Sequence, residues 1–163
     1  MVNTASACGY TQTNMDSLAA VRKKYAPYGF EVLAFPSDSF KQEPLSGADL
    51  GTWARDKFGA DFPIFEKAPV VGEGAQPVFQ FLARGVGRVE GRAADGPGWN
   101  FAKYLIDPRS GEVVRAYGST MRQRGLERDV YGLLTDGKVP PAPAPVPFGN
   151  KPRARPAAAQ VRR

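Results

Sequence analysis

Histidine is absent from the 163 residues, and cysteine occurs once, at position 8. Without His neither a Ser-His nor a Cys-His nucleophile pair can be assembled, and the usual Cys/His ligand set for zinc is missing too. A single Cys excludes an internal disulfide framework and any C-x-x-C dithiol motif. No apolar run approaches the roughly 20 residues needed to span a bilayer as a helix. No charged n-region followed by an apolar stretch marks a secretory signal. Internal repeats are absent, as are the mixed basic and aromatic runs that mark nucleic-acid binding.

What is present is an ordinary globular composition, 42% hydrophobic and 23% charged, of a length that fits one domain with a real core. The net charge of +6 is mostly local: Lys151, Arg153, Arg155, Arg162 and Arg163 follow Val139 with no acid among them. That segment, VPPAPAPVPFGNKPRARPAAAQVRR, is rich in Pro and Ala and reads as a disordered tail over 139–163. The domain is expected to occupy 1–138 and to be close to neutral, with no nucleic-acid partner and no stable membrane insertion.

Met1 to Thr4 reads as a short strand. Met15, Leu18, Val21 and Tyr25 recur at helical spacing from Thr11, and Pro27 with Gly29 ends that helix. The apolar run Phe30 to Phe35 predicts a strand stopped by Pro36. A second helix follows Ser46 as its cap, with Leu50, Trp53 and Phe58 on its apolar side. AQPVFQFLAR predicts a third helix with Pro77 in its first turn. FAKYLID-PRSG-EVVRAYG reads as a β-hairpin, and Leu126 to Leu134 as a closing helix. Strands alternating with helices and then a hairpin imply an α/β fold with a mixed sheet.

Cys8 then falls at a strand-to-helix junction. A lone Cys is ordinarily a small core hydrophobe. Here the unsatisfied amides and dipole of a helix start favour an anion, and the thiolate is the reactive form. Gly9 is expected to let the chain turn sharply and keep the sulfur accessible.

Four stretches, VNTASACGYTQTN, VLAFPSDSFKQEP, FPIFEK and WNFAKYLID, resemble the glutathione peroxidase family in content, order and spacing, over Val2 to about Leu134. The resemblance implies a thioredoxin-like fold: a mixed central β-sheet flanked by helices. It implies an antioxidant peroxidase whose peroxidatic residue is Cys8, a position that is selenocysteine in some relatives. It also implies that Gln42, Trp99 and Asn100 assist. Two side-chain amides and an indole N–H can all donate to a sulfur anion or a departing oxygen, and none titrates near neutral pH. Read without the family, Gln42 is a loop residue, Trp99 a core aromatic and Asn100 a turn residue.

Several departures refine the expectation. Ser37 stands where many members carry a second Cys, and Arg55 where thioredoxin-dependent members carry a resolving one. Oxidised Cys8 must therefore be reduced from outside, which favours glutathione or another small thiol, with thioredoxin a lesser candidate and no prosthetic cofactor or metal. Lys41, Arg84, Arg88 and Lys103 could attract an anionic thiol, although a solvated surface is the default for each. The family's N-terminal hairpin and the first half of its nucleophile-bearing strand are expected to be missing, together with any organelle address, so cytoplasmic is only a default. A short segment between FPIFEK and WNF points to a monomer with a site open to lipid hydroperoxides. The alternative function is a non-catalytic redox sensor or partner-binding protein acting through mixed disulfides at Cys8.

Overall fold

Val2–Thr4 (β1) lies inside a four-stranded sheet of order β2-β1-β3-β4, formed with Ala34–Pro36 (β2), Lys103–Ile106 (β3) and Val113–Tyr117 (β4). This is a computed structural model, and it describes residues 1–90 and 96–135. The expected boundary at 138 and the tail beyond it lie outside the described residues. β1 runs parallel to β2, with Val2 opposite Ala34, and antiparallel to β3; β3 and β4 form the antiparallel hairpin. The sheet is mixed, as expected.

Four α-helices complete the order: α1 (Thr11–Tyr25), α2 (Gly47–Phe58), α3 (Pro77–Glu90) and α4 (Gln123–Thr135). Alternation along the strands sends neighbouring residues to opposite faces. Val2, Ala34, Leu105 and Tyr117 pack with Met15, Leu18 and Val21 of α1, Ala54 of α2, and Leu126 and Val130 of α4. Phe35, Tyr104 and Val113 pack on the other face with Phe79, Leu82 and Val86 of α3. The last three recur at i, i+3 and i+7, so one stripe of α3 faces the sheet, each side chain contributing about 1.5–3 kcal/mol by burial. Gly85 permits this approach: a Cβ there would lie 2.5 Å from Cγ2 of Val113.

The sequence reading needs two adjustments. Helix α1 ends through a single turn of 3₁₀ helix at Ala26–Tyr28, with Gly29 left-handed at φ 87°, as Pro27 and Gly29 suggested. The second strand, however, occupies Ala34–Pro36 rather than Phe30–Phe35, and Pro36 is its last residue, not its stop. Ladder pairing decides this, because β1 faces only 34–36 in register. Ser46 does occupy the N-cap position of α2, yet its hydroxyl makes no capping bond to the helix backbone and instead pairs with the Asp49 carboxylate. Leu50 and Ala54 form the buried side of α2, with Trp53 and Phe58 only partly covered and packed edge-on at 5.1 Å.

Candidate active site

β1 delivers the chain into a tight turn, and Cys8 sits in it, two residues ahead of Tyr10, the N-cap residue of α1. Helix start and thiol are thus close in sequence, but Cys8 precedes the first helical turn. Its carbonyl accepts the N–H of Thr11 at 3.0 Å, and Thr11 Oγ1 donates to Ala5 O at 2.6 Å, so the turn is closed on itself. No side chain caps α1; the first amide of the helix, that of Thr11, is taken by the Cys8 carbonyl. Cys8 is 7% exposed, between exposed Ala7 and Gly9. The chain does turn at Gly9, without a positive φ, but the expectation of an accessible sulfur is not met, because Cys8 is buried in the core cluster that packs on α1.

The loop after β2 brings Gln42 alongside. Its carbonyl accepts the N–H of Ala7 at 3.0 Å, and its Oε1 accepts Nδ2 of Asn100 at 2.9 Å. That bond commits the amide oxygen of Gln42 to Asn100 and leaves both Nε2 hydrogens able to donate elsewhere. Asn100 is fully buried, and Trp99 packs its ring against Phe40 at 5.1 Å. Gln42 and Asn100 are therefore bonded to each other, Gln42 is tied through its carbonyl to Ala7, the residue before Cys8, and Trp99 adjoins Asn100 in the chain.

Asn3 of β1, which sequence reasoning passed over, anchors the WNF segment. Its Nδ2 donates to Trp99 O at 3.1 Å, its backbone oxygen accepts the N–H of Phe101 at 2.7 Å, and its N–H reaches Ala102 O at 3.3 Å. Two residues other than glycine adopt left-handed backbone among the described residues, Lys41 at φ 57° and Phe101 at φ 62°. One directly precedes Gln42 and the other directly follows Asn100. Such conformations cost about 1–3 kcal/mol each and persist where surrounding bonds over-determine them. Asn3 supplies such bonds for Phe101.

Lys103 corrects the expectation of a surface cation. It is 4% exposed, and its Nζ donates to Phe101 O at 2.9 Å and Gly118 O at 3.3 Å. Burial alone pushes its ammonium down from 10.5 to about 7. The unfolded chain therefore holds more protons between those values, so stability should rise with pH across about 7 to 10.5. The full penalty for burying the ammonium is felt below that window. Denaturant midpoints of the native chain and Lys103→Met, compared across it, should show an extra rise in the native chain. Parallel curves would show that this ammonium is not desolvated. Lys41 and Arg84 are exposed, and the side chain of Arg88 lies outside the description.

Ser37 and Arg55 hold no thiol chemistry. Ser37 is buried at the end of β2, its N–H donating to Thr4 O at 3.0 Å and its hydroxyl bonded to Ser39, whereas Arg55 is exposed on α2. Among the described residues no group of three or more His, Cys, Asp or Glu is placed to hold a metal, and no helix is long and apolar enough to cross a membrane. A cleft of about 460 Å³ opens at the start of β1, lined by Met1, Phe30, Leu33, Leu105 and Leu134 among others; none of Cys8, Gln42, Trp99 and Asn100 lines it.

Comparison with known proteins identifies the family and the fold. Residues 1–83 match the family model described as glutathione peroxidase. A probable mitochondrial phospholipid hydroperoxide glutathione peroxidase of Arabidopsis thaliana is 42% identical over 135 residues, covering 82% of this chain and 56% of its own length. A probable phospholipid hydroperoxide glutathione peroxidase of Helianthus annuus is 40% identical over 135 residues, covering 73% of its own length. The chain thus spans little more than half of the first relative and about three quarters of the second. The crystal structure of T. cruzi GPX1 superposes with a TM-score of 0.64 at 30% identity, covering 85% of this chain and 82% of that one. The fold is therefore thioredoxin-like, and the relatives are oxidoreductases named as peroxidases. With its family model, its relatives and its fold in agreement, this chain belongs to the glutathione peroxidase family.

Proposed function

We propose that this chain is a thiol-dependent peroxidase that reduces hydrogen peroxide and organic or lipid hydroperoxides, with Cys8 as nucleophile and Gln42, Trp99 and Asn100 as hydrogen-bond donors around the reacting atoms. The observation that carries it is the Asn100–Gln42 hydrogen bond of 2.9 Å, formed between residues 58 apart in sequence next to the backbone bond that ties Gln42 to the Cys8 turn.

In the first step the Cys8 thiolate attacks one oxygen of the peroxide. The S–O bond forms as O–O breaks, and the departing oxygen takes a proton and leaves as alcohol or water. Donors aimed at that oxygen stabilise the charge it develops. Cys8 is left as sulfenic acid. These 163 residues hold no second Cys, and in this reading an external thiol attacks the sulfur, expelling water and forming a mixed disulfide. A second thiol then displaces Cys8 as thiolate and leaves as the oxidised disulfide. In sum, one peroxide and two thiols give one alcohol, one water and one disulfide.

The relatives' names speak of phospholipid hydroperoxides, and the Phe40–Trp99 ring pair beside the site offers apolar surface to such a substrate. We take the reductant to be glutathione or a comparable monothiol, with thioredoxin a poor substitute, and the working unit to be a monomer. The redox-sensor alternative is less favoured, because the relatives are named for turnover. The test is to follow turnover against glutathione and against thioredoxin, with mass spectrometry of the protein after peroxide. Rate should scale with glutathione, and one glutathione should be found on Cys8. Fast thioredoxin-driven turnover without a small-thiol adduct would defeat this choice of reductant.

A further inference from the structure

We propose that Glu43 is a positioning residue whose buried carboxylate holds the Ser6–Cys8 turn in register with Gln42, so that sulfur and amide donor meet the peroxide together. The proposal rests on the peroxidase reading and extends it to a residue that never touches substrate. Glu43 is 2% exposed, yet it sits in a loop with no helix or strand of its own. A carboxylate is buried only where hydrogen bonds replace its water. Here they come mainly from the Cys8 turn. Oε2 accepts the N–H of Ser6 at 2.8 Å, and Oε1 accepts the Ser6 hydroxyl at 2.5 Å and the N–H of Leu45 at 3.2 Å.

The next amide of the turn, Ala7, donates to the carbonyl of Gln42. Consecutive N–H groups leading into Cys8 are thus held by consecutive residues of the loop that carries the amide donor. The loop is braced in turn. Asp38 Oδ1 accepts the N–H of Glu43 at 3.1 Å, and Lys67 Nζ donates to the carbonyls of Glu43 at 3.3 Å and Leu45 at 2.8 Å. Charge-assisted bonds are the stronger kind, so the carboxylate fixes the turn more firmly than an amide would. Glu43→Gln keeps the shape but offers an N–H₂ where one of Ser6's two donors, or that of Leu45, needs an acceptor. The turn then moves relative to Gln42.

The experiment compares two reactions of Cys8 in the full chain, oxidation by hydrogen peroxide and alkylation by iodoacetamide. Alkylation needs the thiolate; fast oxidation needs the thiolate and the donors in place. In Glu43→Gln the peroxide rate constant should fall about tenfold or more, as small displacements of reacting groups do, with alkylation and melting temperature near native. Ser6→Ala should show the same selective loss more weakly, and adding it to Glu43→Gln should cost little more, because both act through one contact. Unchanged peroxide reactivity in a folded Glu43→Gln protein would overturn the proposal. So would a parallel fall of both reactions. Should Glu43→Gln not fold, Ser6→Ala decides by the same selective loss or its absence. A native protein no faster with peroxide than a free thiol would instead sink the peroxidase reading, and Glu43's role with it.

Discussion

Cys8→Ser should bring peroxide consumption down to the uncatalysed background, a loss of about 10³-fold or more, while the far-ultraviolet spectrum and cooperative unfolding persist. The nucleophile is removed outright, and a serine hydroxyl without a general base cannot replace it. No histidine exists in the sequence to serve as that base. The structural cost is modest. The residue is buried in the core cluster, but serine is close to it in size, and the bonds that close its turn run through backbone groups and Thr11, not through sulfur. Exchanging sulfur for oxygen should therefore change stability by only about 1 kcal/mol. Thiol-dependent turnover retained in this variant would show that the chemistry lies elsewhere.

The second large effect concerns the donors. Gln42→Ala and Asn100→Ala should each slow the reaction of Cys8 with peroxide by about 10²–10³-fold, the scale found when one preorganised donor is deleted. The pair should not be additive. Asn100 holds the Gln42 amide by its oxygen, so Asn100→Ala removes one donor and releases the other. The double variant should accordingly lose little beyond the worse single variant. Asn100→Ala carries a further cost, since the residue is fully buried beside strained Phe101, and its melting temperature should drop more than that of Gln42→Ala. Stopped-flow oxidation of the three variants measures all of this. Full reactivity in both single variants would remove Gln42 and Asn100 from the site, and strictly additive losses would show that the bond between them does not matter.

Much of the fold was legible because periodicity carries it. Met15, Leu18 and Val21 mark the buried face of α1 at helical spacing, and the PRSG turn separates two runs that pair as β3 and β4. The second strand was misplaced because a continuous apolar run says where burial occurs but not where the ladder begins. Pairing with β1 sets that, and it is a long-range fact. The same limit explains Lys103. A lysine in a strand reads as a surface residue unless one knows that the carbonyls of Phe101 and Gly118 converge on it. Glu43 was passed over for a related reason. In the string KQEP an acid in a polar loop two residues from a lysine looks solvated, and two of its three donors come from Ser6, far back in the chain. Gln42, Trp99 and Asn100 were singled out through a family pattern, because an uncharged donor has no local signature of its own. The one available hint was the crowding of several such donors into two short loops.

The most direct test of Cys8 as a peroxidatic residue is to trap its oxidised form. The full chain, reduced and freed of thiol, is given one equivalent of hydroperoxide in the presence of dimedone, which captures sulfenic acid, and peroxide loss is followed alongside intact mass and peptide mapping. The expected result is consumption of one peroxide per chain, far faster than by a free thiol at the same pH, with a single dimedone adduct on the peptide containing Cys8. Peroxide that persists while Cys8 stays reduced, or that disappears with Cys8 unmodified, would contradict it.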